Sequence, residues 1–344
     1  MKTAIVLFNL GGPDSLSAVR PFLRNLFSDP AIIRTPSFLR ALIAWFIAYR
    51  RAPVAREIYA KIGGGSPLLQ ETKLQARALE AALGMKGLDS KCFIAMRYWR
   101  PFTAEAAAAV KAFAPDKIVL LPLYPQFSTT TTQSSRRAWA KDAKNLKLSI
   151  PTCEICCYPT ERGFIAAMVA RTREVMTKVK PGIDYRVLFS AHGLPKKIVD
   201  AGDPYQSQIE MTADAIVEEL GYENLDSAVC YQSRVGPLEW IGPSTDAEIE
   251  RAGKDGKGVI VVPVAFVSEH SETLVELDIE YAELAKRAGV RDYLRAATVR
   301  DHPDFISGLA GLVSVGLNAQ KTVSCVIGRL CPLETVCGQD GVKG

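Results

Sequence analysis

Short apolar runs recur along the chain, separated by longer stretches of helical pattern. AIVLFNL from Ala4, KCFIAMRY from Lys91, KIVLLPLYP from Lys117, YRVLFSAHG from Tyr185, DSAVCYQSR from Asp226 and GVIVVPVAF from Gly258 each read as a buried strand. Strands that alternate with helices of ten or more residues form βα units and parallel sheets.

Three of these runs resemble three others in the same order. IVLLPLYPQFS (Ile118 to Ser128) matches VIVVPVAFVS (Val259 to Ser268), with Pro122 over Pro263. IVLFNLGGP (Ile5 to Pro13) matches RVLFSAHGLP (Arg186 to Pro195), with Gly12 over Gly193. FIAMRYW (Phe93 to Trp99) echoes VCYQSRV (Val229 to Val235), each with an Arg at the strand's end. The order implies two similar α/β halves, broken near residues 155 to 185. In such sheets ligands sit outside the carboxyl ends of the strands.

Composition narrows the partners. With 344 residues, 48% of them hydrophobic, the chain can bury the cores of two domains. A net charge of +5 without long Lys/Arg runs argues against a nucleic-acid partner and is compatible with an anionic substrate or membrane surface. The apolar run at the N-terminus ends at once in a turn, so it reads as a strand rather than a signal peptide. Ala41 to Tyr49 (ALIAWFIAY) is far below the roughly 20 residues a spanning helix needs. A cytoplasmic protein is expected, and its eight cysteines then suit metal ligation or reduced thiols better than disulfides.

The stretch VSEHSETLVELD, Val267 to Asp278, carries the most suggestive chemistry. On an ideal α-helix residues advance about 100° each, which places Glu269, Glu272, Glu276, Glu280 and Glu283 within a sector of roughly 80°. A solvated helix face is the plain reading. Yet the stripe lacks the basic i,i+4 partners of an exposed face, so its charges would repel. It also starts at the mouth of a sheet. The functional reading is a carboxylate path for cations or protons, with His270 and Glu272 at its inner end and His270 in the strand-to-helix turn. A second histidine, His192, closes the run FSAHGLP at another strand end. A lone strand-end histidine is more often structural, but two of the chain's three histidines lie at carboxyl ends of one sheet. Imidazole with carboxylate suits borderline divalent metals such as Fe²⁺, Co²⁺ or Zn²⁺ and can take up protons near pH 7.

NLGGP from Asn9, IGGGSP from Ile62, LYPQF from Leu123, FSAHGLP from Phe189, CYQSRVGP from Cys230, WIGP from Trp240 and SEHSETLVELD from Ser268 together resemble the ferrochelatase family, over about residues 3 to 315. The resemblance implies two Rossmann-like domains with parallel four-stranded sheets flanked by helices, residues 1–157 and 158–318, followed by a cysteine-bearing tail, 319–344, with a porphyrin cleft between the domains. The last helix is expected to pack back on the first domain. It implies insertion of Fe²⁺ into protoporphyrin IX with release of two protons, the last step of haem synthesis. His192 corresponds to the family's metal-site histidine and Glu272 to its partner carboxylate, with Glu276 on the acidic path and His270 beside it. Arg97, Tyr98, Trp240 and Leu10 correspond to the porphyrin pocket. A coproporphyrin or cobalt-type chelatase is the nearest alternative, and a non-catalytic porphyrin carrier the alternative from another class.

Two further segments carry expectations. Cys325, Cys331 and Cys337 are spaced C-x5-C-x5-C, and some ferrochelatases hold a two-iron, two-sulfur cluster on three C-terminal cysteines and one internal cysteine. Thr129 stands where the animal form has its internal ligand. The cysteine before Tyr-Pro-Thr in bacterial members matches Cys157, with Cys156 and Cys153 as alternatives. The arm from Phe38 to Pro53 is apolar and edged by Arg34, Arg40, Arg50 and Arg51. Where a core helix would be the default, that pattern also suits an interfacial contact with a membrane's inner face, and the family resemblance makes it a lip over the cleft.

Overall fold

The structure is a computed structural model that describes residues 1–318 apart from Val235 and Pro237. It divides into two compact units, Met1–Cys157 together with the segment from Leu309, and Tyr158–Gly308. The boundary near residue 309 falls inside the last helix described.

The first unit runs β1 (Thr3–Asn9), α1 (Val19–Phe27), α2 (Ser37–Ala60), α3 (Leu68–Met85), β2 (Ser90–Met96), α4 (Thr103–Phe113), β3 (Lys117–Pro122), α5 (Thr132–Asn145) and β4 (Thr152–Glu154). Its strands form one parallel sheet in the order β2-β1-β3-β4. The central strand β1 is buried at all seven positions, as expected where helices cover both faces of a sheet. Val6 and Phe8 pack with Phe93, Val110 and Trp139 on one side.

The second unit runs α6 (Arg162–Met176), β5 (Tyr185–His192), α7 (Lys196–Val199), α8 (Tyr205–Leu220), β6 (Ser227–Gln232), α9 (Thr245–Lys254), β7 (Gly258–Pro263), a π-helix (Glu272–Glu280) continued by α10 (Tyr281–Arg287), and β8 (Tyr293–Arg295). The parallel strand order is β6-β5-β7-β8, the same topology as the first sheet. The three matched strand pairs in the sequence thus occupy equivalent places in two four-stranded sheets. The helix α11 (Pro303–Asn318) follows.

The apolar arm is part of α2, a helix that continues through Pro53 to Ala60. It is an inverted helix: the small residues Ala44, Ala48 and Ala52 are buried, whereas Phe38, Leu42, Trp45, Phe46 and Tyr49 are exposed. No helix among the described residues is long and apolar enough to cross a membrane.

Candidate active site

His192 is the last residue of β5, and the chain turns sharply after it. The Gly193 N–H donates to the Gln232 carbonyl at 2.8 Å, and a Cβ on Gly193 would come within 2.9 Å of that oxygen. Only glycine lets the β5 and β6 ends approach this closely. The turn leaves the His192 ring facing the π-helix, where Nδ1 meets Glu272 Oε2 at 2.8 Å.

Glu272 opens the π-helix. Such i→i+5 winding is rare and is found at functional sites. Just before it, the Thr273 hydroxyl accepts from the His270 N–H at 3.0 Å, and the Thr273 N–H donates to the His270 carbonyl at 3.1 Å. These bonds fix His270 in the strand-to-helix turn. Its ring stands edge-on to Phe266, with centroids 4.5 Å apart. The buried Nδ1 of His270 has no hydrogen-bond partner among the described residues.

Three further groups hold the carboxylates. Ser233 sits at φ 62°, in the left-handed region that residues other than glycine seldom adopt. That conformation points its N–H at Glu276 Oε1, 2.8 Å away, and its hydroxyl at Glu276 Oε2, 2.5 Å away. Gln232 Nε2 donates to Glu276 Oε2 at 3.1 Å and to the Glu272 carbonyl at 3.2 Å, and the Tyr281 hydroxyl lies 3.2 Å from Glu276 Oε1.

The electrostatics divide the four groups. Burial opposes charge on His192, but the adjacent Glu272 carboxylate outweighs it and raises the imidazole pKa. Burial likewise disfavours the Glu272 carboxylate, but His192 overcomes this and holds its pKa near 2. The contact therefore favours the charged form of each partner. For His270 burial wins over the neighbouring glutamates, and its pKa is lowered, so this ring is neutral. Burial and then repulsion from Glu272 raise the pKa of Glu276, against the bonds from Ser233 and Gln232. One cluster thus holds an imidazole–carboxylate pair that favours its charged form, an imidazole whose protonation burial disfavours and a carboxylate whose ionisation is disfavoured.

The acidic stripe differs from its ideal-helix form. Glu269 lies in the turn, where Arg295 Nη1 donates to both of its oxygens (2.9 and 3.1 Å) and the Thr298 N–H donates to Oε1. The same Arg295 grips Asp278 through Nε and Nη2, each at 2.6 Å. Arg287 also approaches Glu283, at 4.0 Å. Basic partners therefore do exist; the strongest comes from β8, where helical spacing could not reveal it. Glu272 and Glu276 remain part-buried, while Glu280 and Glu283 are exposed.

The residues expected at the porphyrin fall in both units. Trp240 belongs to the second unit, where it pairs with Pro195 in an isolated bridge, and its ring would lie 3.3 Å from a Cβ on Gly193. Its indole N–H is buried without a partner among the described residues. Arg97, Tyr98 and Leu10 belong to the first unit. Tyr98 is sealed in the core at 1% exposure, so its ring offers no free surface. Its hydroxyl instead donates to Asp29 Oδ2 at 2.8 Å, beside Arg97 Nη2 at 2.7 Å and the Ser134 hydroxyl at 2.5 Å. Asp29 thus anchors Arg97, and Tyr98 supports Asp29. Leu10 packs, partly buried, against the cluster of Phe22, Tyr59 and Tyr98, and its carbonyl accepts from the Tyr98 N–H at 2.9 Å.

Of the expected cluster ligands, Cys325, Cys331 and Cys337 lie outside the described residues. Cys157 is fully buried, as is its neighbour Cys156, and Cys153 lies on β4 at 1% exposure. No group of three or more His, Cys, Asp or Glu among the described residues is placed to hold a metal.

The fold matches solved chelatases. SirB from Bacillus subtilis with Fe³⁺ aligns with a TM-score of 0.54 at 13% identity, covering 92% of this chain and 97% of that one. The sirohydrochlorin chelatase SirB from Bacillus subtilis subspecies spizizenii, in complex with cobalt, aligns with a TM-score of 0.52 at 11% identity, over 93% and 97%. The architecture is thus that of the two-domain chelatases. Within that class, the ferrochelatase family model matches residues 2–317. Curated ferrochelatases from Caulobacter vibrioides strain NA1000 and Hyphomonas neptunium are 57% and 51% identical, over 96% of this chain in each case and 95% and 92% of theirs. The chain belongs to the ferrochelatase family.

Proposed function

We propose that the chain inserts Fe²⁺ into protoporphyrin IX, giving protohaem and two protons. Family membership supports the reaction, and the contact of His192 with Glu272 at the carboxyl end of β5 supports its location. Insertion requires a donor pair for the incoming iron and acceptors for two pyrrole protons. His192 and Glu272 supply the donors once the imidazole gives up its proton. The neutral His270 accepts protons at the porphyrin, and Glu276, whose pKa is raised, passes them on to the exposed Glu280 and Glu283. Ser233 and Gln232 hold Glu276 in register for that transfer. Trp240 offers its ring for stacking, and Arg97, anchored by Asp29, offers a guanidinium to a propionate.

Two finer readings accompany the reaction. The tail cysteines Cys325, Cys331 and Cys337, with Cys157, hold a two-iron, two-sulfur cluster. The exposed apolar face of α2 rests on the inner surface of the cytoplasmic membrane, where a poorly soluble porphyrin is at hand. The direct test of the reaction is an anaerobic assay with Fe²⁺ and protoporphyrin. Loss of porphyrin fluorescence with turnover is expected; stoichiometric binding without metallation would make the protein a carrier.

A further inference from the structure

The helices α1 and α2 bound a hollow of about 350 Å³ lined by Arg20, Tyr49, Arg50, Ala52, Pro53 and Arg56. Three of its six lining residues are arginines. Arg20 is held against the aromatic pair Trp45 and Tyr49, its guanidinium carbon 5.9 and 5.3 Å from their ring centroids, while the two rings stack 5.8 Å apart. Arg56 is tethered through Nε to the Leu16 carbonyl at 3.1 Å, leaving its Nη groups for other acceptors. Among the described residues none of the three guanidiniums has a carboxylate within ion-pair distance. Like charges gathered in one hollow without a counterion repel, and an anion that enters relieves them. Planar guanidinium groups match phosphate oxygens in particular.

The surroundings select the kind of phosphate. The N-terminal half of α2 exposes Phe38, Leu39, Leu42, Trp45 and Phe46, a run that ends at Tyr49 beside the hollow. Arg40, the one arginine inside that apolar half, is turned back onto the Ser28 and Thr35 carbonyls. The helix therefore grades from apolar side chains, through an aromatic pair, to an arginine cluster. Acyl chains, interface and headgroups follow each other in the same order in a bilayer. We infer that the Arg20–Arg50–Arg56 hollow binds the phosphate of an anionic phospholipid while the exposed face of α2 lies among the acyl chains. The inference rests on the membrane reading of α2 and adds a defined headgroup site to it.

Vesicle flotation of the full chain separates the two. Vesicles of phosphatidylcholine alone are compared with vesicles that also contain phosphatidylglycerol. Wild type binds the anionic vesicles more tightly, and Arg20→Gln/Arg56→Gln weakens that binding about 30-fold while leaving binding to phosphatidylcholine unchanged. The control pair Arg24→Gln/Arg34→Gln, exposed and outside the hollow, has a much smaller effect. Equal losses in the two pairs would reduce the hollow to a diffuse positive field and overturn the site. Trp45→Ser/Phe46→Ser tests the underlying reading and lowers binding to both kinds of vesicle. If that variant loses binding and the hollow variant keeps it, the membrane contact stands and the headgroup site fails. Wild type that ignores both vesicles, or that self-associates through α2 in sedimentation, overturns both readings. Inorganic phosphate alone, measured by calorimetry, binds weakly; binding as tight as that of vesicles would assign the hollow to a soluble phosphate.

Discussion

Ser233 takes both oxygens of Glu276, one through its N–H at 2.8 Å and the other through its hydroxyl at 2.5 Å. It does so from a left-handed backbone conformation, φ 62°, that a serine adopts only when its surroundings enforce it. Groups that orient a functional carboxylate commonly matter about 10–100-fold. Ser233→Ala is therefore expected to lower the insertion rate by about that factor without lowering the melting temperature appreciably. It also removes a bond that stabilises the ionised carboxylate, so the pKa of Glu276 rises further and the pH–rate profile shifts to higher pH. An unshifted profile at full rate would remove Glu276 from the proton route.

The stripe should act in a graded way. Glu272→Gln removes the partner of His192 and is expected to cost on the order of 10²-fold or more in rate. Glu283→Gln, about three turns further out and exposed, should cost little. Steady-state rates of the two variants decide the matter. Equal losses would mean that the carboxylates act as a diffuse field.

Arg295 is the structural counterweight of the site. Burial opposes the Glu269 carboxylate, yet Arg295 and the bonds from Thr273 and Thr298 keep its pKa below the ordinary value. A depressed carboxylate pKa contributes stability above the unfolded value, about 4.3, and that contribution fades as pH falls through the folded one. Arg295→Met strands a buried charge, so a loss of about 3–5 kcal/mol is expected at neutral pH. Melting curves across pH should show the gap to wild type narrowing below about pH 4. A gap independent of pH would mean that Arg295 acts through packing alone.

If Cys157 and the three tail cysteines hold a cluster, the protein purified without oxygen is reddish-brown and carries iron and acid-labile sulfide in equal amounts. Cys157→Ser bleaches it and lowers its stability, because ligation is linked to folding. Cys92→Ser and Cys230→Ser keep the colour, since both thiols lie in strands and burial pushes that of Cys230 up to about 12, away from the thiolate form. A colourless protein containing zinc would replace the cluster with a zinc site. One with neither metal nor sulfide would leave the thiols unligated.

Six of the eight strands among the described residues were legible as apolar runs, because each spans six to eight residues. β4 and β8 are only three residues long and show no periodicity of their own. The strand-end histidines stood out by their rarity and position. The π-winding that carries Glu272 and Glu276 did not, because i→i+5 bonding leaves no recognised mark in the sequence. Arg295 and Asp29 act on partners far along the chain, and Ser233 through a backbone conformation, so neither spacing nor composition disclosed them. The expected lip ended at Pro53, where a proline ordinarily ends or kinks a helix, yet α2 runs on to Ala60.

The central claim is that His192, paired with Glu272, receives the iron. Its most direct test measures metallation and porphyrin binding separately in His192→Ala, using anaerobic turnover with Fe²⁺ for the first and fluorescence titration with protoporphyrin for the second. Metallation is expected to be abolished while porphyrin binding stays near the wild-type level. Insertion at close to the wild-type rate in the same variant would contradict the assignment.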